Sequence, residues 1–253
     1  MNEFLSLAKD TAVNAGKLLK TRYRSLLVVE SDKGHDIKLK ADKSAEELIR
    51  HQLTIQSSFP VLGEEMGFHG TFTDFSGIYW IVDPLDGTAN YMKGSISCCV
   101  SIALWKGQQP KLGVIYNFFT NEIYVGDVEN NFATLNQDKI ETSKLIDREQ
   151  AVYSTGFPLA MRLDKHSQSR FFTKVQNYKK IRMIGSAALS LAHVASGTFD
   201  IYEEESIRWW DVAGGLAIVK AAGGYIKYEF TDKKNFVLNV IAASSSSVLL
   251  KEG

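Results

Sequence analysis

The sequence predicts a mixed fold of helices and β-sheet, and three observations carry this prediction. Apolar residues recur at helical spacing from Phe4 to Leu27, apolar runs separated by turn residues fill residues 98–135, and strand-like and helix-like segments alternate after Asp147. The hydrophobic fraction of 45% and the charged fraction of 23% are ordinary for globular proteins. These values exclude a disordered or fibrous chain.

Charge and cysteine content narrow the functional classes. Lys plus Arg equals Asp plus Glu at 29 each, so we expect no nucleic acid and no membrane as a partner. Cys98 and Cys99 are adjacent in a strand-like run, which places their side chains on opposite faces and excludes a disulfide framework. The sequence has no apolar run near the roughly 20 residues of a membrane span and begins without a signal-peptide pattern, so we expect a cytoplasmic protein.

The N-terminal third predicts two helices joined by a polar loop. The first helix covers Phe4 to Leu27 and serves packing alone, because its apolar residues form one stripe. Residues 31–42 are polar and contain glycine, which by itself indicates a charged surface loop. The second helix extends to Ile55, with Asp42 or Ser44 as its N-cap.

The middle of the chain predicts strands. The apolar pair Val61-Leu62 is followed by Gly63-Glu64-Glu65, which places carboxylates at a strand end, although a solvated turn is the better interpretation of this short segment taken alone. Later strands form an antiparallel meander in which turn residues separate the runs 98–105, 112–116, 122–125 and 131–135.

The second half predicts alternating strands and helices. Strands are expected at 151–155, 181–184, 199–202 and 237–243, and helices at 167–175, 187–195 and 212–219. Ser186 is the expected N-cap of the middle helix. Asp211 precedes the third helix and has a simple alternative role as its N-cap. A further helix is expected at the C-terminus, after the last strand.

The stretch from Trp80 to Tyr91 carries the clearest chemical signal. An apolar run ends in Asp83 and Asp86, and Gly87-Thr88 follows at once. The proline between the two acids holds Asp83 extended, and a helix beginning at Gly87-Thr88 would offer backbone N–H groups to an anion. Two Mg²⁺ ions held by shared carboxylates would bridge the protein to a phosphate. Taken alone, the stretch is equally compatible with a solvated turn.

These segments, in this order, resemble the inositol monophosphatase family of magnesium-dependent, lithium-sensitive phosphatases. The motifs are Gly63-Glu64-Glu65, then Trp80 to Tyr91, then Trp210 to Gly215 with Ala222-Gly223-Gly224, supported by Asp36 to Asp42, Gly185 to Ala188 and the spacing from Glu204 to Asp211. The resemblance implies an α+β, layered αβαβα sugar-phosphatase fold. It also implies an active cleft between an N-terminal half, 1–146, and a C-terminal half, 147–253, and a homodimer.

The resemblance also implies a ligand set. One Mg²⁺ would be bound by Glu64, Asp83 and the backbone carbonyl of Leu85, and a second by Asp83, Asp86 and Asp211. Oxygen ligands are those that Mg²⁺ prefers. A third ion would involve Glu65, with Asp36 and Lys33 at secondary positions. The chain departs from the family here, because Lys38-Leu39 replaces the usual valine-threonine pair and the loop with Lys33 is short.

For catalysis, the resemblance implies that a water is oriented by Thr88, whose hydroxyl pairs with Asp42, and that Glu64 belongs to the same catalytic group. Gly87 and Thr88 would hold phosphate oxygens through their backbone N–H groups. Substrate hydroxyls would meet Gly185, Ser186, Ala187 and Glu204.

We therefore expect a Mg²⁺-dependent phosphomonoesterase for a small phosphorylated polyol or sugar, with inositol 1-phosphate as the first candidate. The alternatives within the superfamily are a 3′(2′),5′-bisphosphate nucleotidase, a fructose 1,6-bisphosphatase and a histidinol-phosphate phosphatase. From a different class, a non-catalytic regulator with this fold is also an alternative.

Overall fold

The structure, a computed structural model, describes residues 3–33, 36–69, 76–156 and 165–249. Of residues 32, 33, 36–38, 69 and 166 it describes the backbone alone. The helices of this part are α1 Glu3–Thr21, α2 Tyr23–Leu26, α3 Lys40–Gln56, α4 Thr88–Met92, α5 Lys165–Val175, α6 Ala187–Ala195 and α7 Trp209–Ala221. Short 3-10 helices lie at Arg148–Gln150 and Ser246–Val248.

The strands form one large sheet, one smaller sheet and a separate hairpin. The hairpin pairs β1 Val29–Lys33 with β2 Asp36–Leu39. The large sheet contains β3 Val61–Gly63, β4 Gly67–His69, β5 Ile78–Asp86, β6 Cys99–Lys106, β7 Gln109–Asn117, β8 Glu122–Asp127, β9 Phe132–Leu135 and β10 Asp138–Lys139. The smaller sheet contains β11 Val152–Ser154, β12 Lys180–Arg182, β13 Ile201–Arg208, β14 Tyr225–Asp232 and β15 Val237–Ala243.

The outer layer consists of α1 and α3, which pack on one face of the large sheet. The buried residues of α1 follow helical spacing, with Leu5, Ala8, Ala12, Ala15 and Leu19 all facing the core. Small alanines let the helix approach the sheet closely, while its opposite face carries the charged residues. The amphipathic pattern therefore explains both the helix and its place.

The large sheet has eight strands in the order β10-β9-β8-β7-β6-β5-β3-β4. From β5 to β10, each strand pairs antiparallel with the next one along the chain, which confirms the meander. Strand β3 runs parallel to β5, with Gly63 beside Val82. This parallel pairing is important for the site, because it places the residues that follow β3 next to the end of β5.

Helices α6 and α7 form the middle layer between the two sheets. Their apolar residues belong to one core with Ile81 and Ile115 of the large sheet and with Tyr202 and Val240 of the small one. Helix α7 lies unusually close to β7, since a Cβ atom on Gly113 would come within 2.2 Å of the Gly214 carbonyl oxygen. A helix that is covered on both faces is apolar around its circumference, and α7 follows this rule apart from Asp211 in its first turn and Lys220 in its last.

The small sheet has the order β12-β11-β13-β15-β14 and carries α5 on its outer face. On β13, Ile201 packs toward Val175 of α5, whereas Tyr202 belongs to the core beneath α6 and α7. Successive strand residues face opposite sides, so this one strand contributes to both layers. The layer order is therefore α, β, α, β, α, which confirms the predicted fold class.

Several local predictions were wrong. Residues 31–42, expected to be a surface loop, contribute most of the β1–β2 hairpin and the start of α3, because residues 31–33 pair with residues 36–38. Helix α3 begins at Lys40, so neither Asp42 nor Ser44 is its N-cap; Asp42 lies in the first turn and accepts a hydrogen bond from the Leu39 N–H group. The expected C-terminal helix is the short 3-10 turn Ser246–Val248 within the described range. Strand β14 was not predicted at all. Ser186 is the N-cap of α6 as expected, and its hydroxyl oxygen accepts from Leu189 N–H.

The sequence was expected to contain neither a disulfide framework nor a membrane span, and two observations on the described part of the chain concern these expectations. Cys98 and Cys99 are both buried free thiols. The helices in the described ranges lack the combination of length and apolar character that a bilayer crossing requires. The division into halves 1–146 and 147–253 stays a prediction, although the two sheets lie on either side of this boundary in the sequence.

Candidate active site

Glu64 follows β3 in a tight turn that is held from below by α3. The Glu46 carboxylate accepts the backbone N–H groups of Glu65, at 2.7 Å, and Met66, at 3.0 Å. Arg50 in turn donates to Glu46 over 2.8 Å. Gly63 is required at the start of the turn, because a Cβ atom there would lie 2.3 Å from Glu46 Oε1.

The end of β5 supplies the buried floor of the site. Asp83, Leu85 and Asp86 are all buried there, and the β5–β6 register shifts between Asp83 and Asp86. The Asp83 carboxylate accepts the Leu85 N–H group over 3.0 Å, which folds the chain around Pro84. The irregular strand end therefore directs two carboxylates into one region.

Asp211 reaches the same region from the first turn of α7. The backbone N–H of Arg208 donates to its carboxylate and fixes its position. Carboxylate oxygens of Glu64, Asp83 and Asp211, one from each residue, all lie within 4.8 Å of one another. Three segments that are distant in sequence thus form one acidic cluster.

Asp86 lies beside this cluster and is anchored to α6. Its Oδ2 atom accepts hydrogen bonds from the Ser186 hydroxyl and, at 2.9 Å, from the Ala188 N–H group. The Cys99 thiol also donates to this oxygen over 3.7 Å. The structure therefore brings Glu64, Asp83 and Asp211 together most closely, with Asp86 next to them and fixed by a helix start.

Burial and mutual repulsion shift the ionisation of these groups. Burial, followed by the nearby charge of Glu64, raises the pKa of Asp83 and of Asp211 well above its usual value. Burial also raises the pKa of Asp86 to about 6, against the lowering effect of its hydrogen bonds from Ser186 and Ala188. A bound cation would relieve this penalty, because it favours the charged carboxylates.

Thr88 and Asp42 form the hydroxyl–carboxylate pair that the resemblance implies. Thr88 Oγ1 lies 2.9 Å from Asp42 Oδ1 and 3.1 Å from the Leu85 carbonyl oxygen. The second Asp42 oxygen accepts Leu39 N–H at 2.8 Å. Burial raises the pKa of Asp42 to about 7. The pair fixes the orientation of the Thr88 hydroxyl at the cavity wall.

Gly87 connects β5 to α4 with a left-handed backbone. Its φ is 87°, and a Cβ atom there would lie 2.7 Å from the Ser97 carbonyl oxygen. Asn90 ties this corner to the segment before α6, since its side-chain amide donates to Ser97 O and Ile184 O, both at 2.8 Å. Neither the backbone angle nor the space admits a side chain at Gly87.

These residues line a cavity of ≈ 550 Å³. Its lining includes Glu64, Asp83, Leu85, Asp86, Gly87, Thr88, Gly185 and Asp211, which are eight of the residues singled out from the sequence. The volume is typical of a pocket for a whole small-molecule ligand. The side chains of Lys33 and Asp36 lie outside the described part of the chain, and Glu65 lies in the turn beside Glu64.

A smaller pocket of ≈ 220 Å³ shares Asp86, Gly185 and Asp211 with the main cavity. Ser186, Ala187 and Glu204 line it, together with Ser190, Thr155 and Gly156. Glu204 accepts the Tyr202 hydroxyl over 2.6 Å, and burial raises the pKa of its carboxyl. The predicted hydroxyl-contacting residues are therefore adjacent to the acidic cluster.

A bulge in β13 directs Glu204 into this pocket. The pairing with β15 shifts between Glu204 and Ile207, and Ser206 has a φ of 59°. Glu203 points away and meets Lys174 of α5 at 2.6 Å. Gly156 leaves the space that Glu204 needs, because a Cβ atom there would come within 2.1 Å of its carboxylate.

Sequence reasoning missed four polar or aromatic residues of this region. Arg208, Lys234, Asn235 and Phe236 line the main cavity beside Trp210, which belongs to the predicted motif Trp210 to Gly215. Three of them lie in the β14–β15 hairpin, and one pattern in the sequence predicts the first strand of that hairpin. Ile226, Tyr228 and Phe230 alternate with Lys227 and Glu229, which is the period of a half-buried strand leading to that turn.

Comparisons with known proteins identify the family of the chain. Residues 1–250 match the model of the inositol monophosphatase family. The chain is 34% identical over 253 residues to "Nus factor SuhB" of Escherichia coli K12, which covers 96% of this chain and 92% of that protein. It is also 34% identical over 233 residues to "Inositol monophosphatase 3" of Solanum lycopersicum, covering 89% of this chain and 86% of the relative.

A solved structure agrees with the fold. The inositol monophosphatase from Anabaena superposes with a TM-score of 0.82 at 29% identity, covering 97% of this chain and 92% of that chain. Family and structural matches extend over nearly the whole sequence rather than one motif. The chain belongs to the inositol monophosphatase family.

Proposed function

We propose that the chain is a Mg²⁺-dependent phosphomonoesterase that hydrolyses a small polyol or sugar phosphate, with inositol 1-phosphate as the first substrate. One observation carries this proposal. The Glu64, Asp83 and Asp211 carboxylates meet in the same cavity that the Thr88 side chain lines, and Thr88 is bound to Asp42. Membership of a phosphatase family supports the reaction class.

The residues fit hard divalent cations. All the candidate ligands are oxygen atoms, and their burial is unfavourable without a compensating positive charge. Glu64, Asp83 and the Leu85 carbonyl would hold one Mg²⁺, and Asp83, Asp86 and Asp211 a second. A third ion near Glu65 remains part of the proposal. When bound, these ions would offset phosphate charge and lower the pKa of a water.

The chain's own groups would orient the reacting water and the phosphate. Because the Thr88 hydroxyl donates its hydrogen bond to Asp42, Thr88 Oγ1 keeps a lone pair that can accept a hydrogen bond from water. The Leu39 N–H group holds Asp42 in place for this role. The backbone N–H groups of Gly87 and Thr88 would donate to phosphate oxygens, at the point where the chain can approach a ligand most closely.

The smaller pocket would receive the alcohol portion of the substrate. Glu204 and Ser190 offer oxygen atoms that suit substrate hydroxyls, and Gly185, Ser186 and Ala187 form the adjoining wall. This environment is polar and holds no described lysine or arginine, which favours a hydroxyl-rich group over a second anion in this pocket. The 3′(2′),5′-bisphosphate nucleotidase and fructose 1,6-bisphosphatase activities remain alternatives.

A non-catalytic role is the second candidate, and one comparison favours it. The relative in Escherichia coli K12 is named a Nus factor rather than a phosphatase. The site residues argue against a purely non-catalytic role. The chain has the Thr88–Asp42 pair and all four acidic residues of the proposed metal sites, Glu64, Asp83, Asp86 and Asp211. Buried charged groups lower the stability of the folded state unless a partner of opposite charge or hydrogen-bond donors compensate them.

A phosphate-release screen tests the proposal. Inositol 1-phosphate, fructose 1,6-bisphosphate, 3′-phosphoadenosine 5′-phosphate and histidinol phosphate are compared with and without Mg²⁺ and Li⁺. The Asp86→Asn variant should keep its fold and lose turnover, whereas Asp127→Asn, a buried acid at the end of β8, should keep turnover. Full activity of Asp86→Asn would remove the assignment of the second metal.

A further inference from the structure

One wall of the main cavity is basic although its floor is acidic. Arg208 and Lys234 line the ≈ 550 Å³ cavity together with Glu64 and Asp211. Neither basic residue lines the smaller pocket that contains Glu204. The two cations therefore mark a part of the cavity that the proposed hydroxyl-binding pocket does not use.

The basic wall is held in place by the start of α7. Arg208 Nη1 donates to the Asn235 carbonyl oxygen over 2.6 Å, and the Arg208 guanidinium lies 5.8 Å from the ring centre of Trp210. Trp209 N–H also donates to the Phe236 carbonyl at 2.9 Å. The turn between β14 and β15 is thus fastened to the same helix that carries Asp211.

The turn itself is ordered by a single carboxylate. Asp232 accepts the backbone N–H groups of Lys234, at 3.0 Å, and Asn235, at 3.1 Å, as well as the Asn235 side-chain amide at 2.7 Å. These bonds fix the backbone from which the Lys234 side chain extends. A preformed turn loses less entropy when it binds a ligand than a free loop does.

The positive charges on this wall remain available. Within the described residues, no carboxylate lies at ion-pair distance from Arg208 or Lys234. The Arg208 guanidinium uses one nitrogen for Asn235, which leaves other N–H groups of its planar fork. Two cations without an ion-pair contact on a fixed scaffold, of which Lys234 also interacts electrostatically with Asp232, suit a phosphate dianion, which arginine binds with matching geometry.

We propose that Arg208, Lys234 and Asn235 form a subsite for a second phosphate group of the substrate. The chain then hydrolyses small polyol or sugar bisphosphates more efficiently than the matching monophosphates. This inference rests on the proposed function, in which the scissile phosphate lies beside Glu64, Asp83 and Thr88. The second phosphate would extend from there toward the β14–β15 turn, while hydroxyls enter the smaller pocket.

Matched substrate pairs test the subsite. Phosphate release is measured for inositol 1-phosphate against inositol 1,4-bisphosphate, and for fructose 1-phosphate against fructose 1,6-bisphosphate, with correction for two hydrolysable groups. We expect the wild-type kcat/KM ratio to favour the bisphosphate by about tenfold, and Lys234→Gln to reduce that ratio about tenfold. The advantage should shrink at high salt, because exposed charges are screened.

Lys233→Gln is the matched control, since it removes the same charge from the same turn but from a side chain outside the cavity lining. An unchanged ratio in Lys234→Gln would overturn the subsite. An equal loss on both members of each pair would also overturn it, because Lys234 would then act on the scissile phosphate.

Equilibrium binding separates this inference from the proposed function. If the wild-type chain releases no phosphate from any substrate, the proposed function fails. The same pairs are then titrated calorimetrically against wild type and Lys234→Gln with Mg²⁺ present. Selective weakening of bisphosphate binding in the variant would still support the subsite, and equal affinity of both proteins for the bisphosphate would overturn it.

Discussion

Arg50 donates to Glu46 over 2.8 Å in a buried ion pair beneath the turn that carries Glu64. The Glu46 carboxylate binds both backbone N–H groups that follow Glu64, and Arg50 also donates to the Val61 carbonyl at 3.0 Å. The pair therefore connects α3, β3 and the acidic cluster. A buried charge left without its partner is strongly unfavourable.

Removal of Arg50 should affect both stability and metal binding. Arg50→Met leaves Glu46 uncompensated, so we expect a loss of about 3 kcal/mol in the free energy of unfolding. The Mg²⁺ concentration for half-maximal activity should rise about tenfold, because changes to the groups that hold metal ligands in place commonly weaken metal binding by that factor. Chemical denaturation and a Mg²⁺ titration of phosphate release measure the two effects.

Lys144→Met provides the control for an exposed ion pair. Lys144 lies 3.1 Å from Glu141, and the two side chains are 86% and 49% exposed. This change should alter stability by less than about 0.5 kcal/mol. Equal effects of the two substitutions would show that the buried pair has no special role.

Gly87→Ala should damage the site beyond the effect of backbone strain. Gly87 and Gly223 share a φ of 87°, but a Cβ atom at Gly223 meets nothing within 4 Å, whereas one at Gly87 lies 2.7 Å from Ser97 O. We expect Gly223→Ala to lower stability by about 1 kcal/mol and to retain activity. Gly87→Ala should lower it further and lose most turnover. Equal activity in the two variants would contradict the account.

The hydroxyl of Thr88 should be essential while its methyl group is not. Thr88→Val keeps the shape but removes the group that bonds Asp42, so kcat should fall about 100-fold or more. Thr88→Ser restores the hydroxyl and should retain most activity. Kinetics of both variants with one substrate decide this, and comparable kcat values would remove Thr88 from the catalytic group.

The metal-free protein should become less stable as the pH rises. Burial raises the pKa of Asp86 to about 6 and of Asp42 to about 7, from a usual value of 3.8. The folded state therefore holds protons more tightly than the unfolded state. The contribution of these protons to the free energy of unfolding is complete below about pH 3.8 and is lost as the pH rises through 6 to 7. For Asp86 this contribution is on the order of 3 kcal/mol.

Thermal unfolding in EDTA and in Mg²⁺ across this interval measures the effect. Because Mg²⁺ requires ionised carboxylates, its stabilisation should grow as the pH rises. The Asp86→Asn variant should show a weaker dependence in EDTA. A Mg²⁺ effect that declines between about pH 5 and 8 would contradict the linkage.

The sequence predicted most of the fold because its elements follow clear periods. The apolar stripe of α1 and the apolar runs of β6 to β9, separated by turn residues, indicate these elements from the local sequence alone. The N-cap of α3 was wrong because Asp42 is committed to Leu39 N–H and Thr88, a relationship that depends on a residue far along the chain. The C-terminal helix was wrong because the chain after β15 forms one short turn.

The site residues that belong to sequence motifs were predictable. Those that only the fold brings to the site were not. Glu64, Asp83 and Asp211 were predicted from motifs that resemble the family. By contrast, Glu46 and Arg50 have the spacing of an ordinary exposed helix pair, and only the position of α3 under the β3 turn buries them. Lys234 approaches the cavity through a turn that Asp232 and Arg208 fix in three dimensions.

We propose that the Glu64–Asp83–Asp211 cluster binds the Mg²⁺ required for phosphate release. The most direct test is a Mg²⁺ titration of phosphate release from inositol 1-phosphate by wild type and Asp83→Asn, each after EDTA treatment. We expect Mg²⁺ to restore phosphate release saturably in the wild type, and we expect a loss of at least about 1,000-fold in the variant. Release by the wild type in EDTA, or substantial Mg²⁺-restored activity in Asp83→Asn, would contradict it.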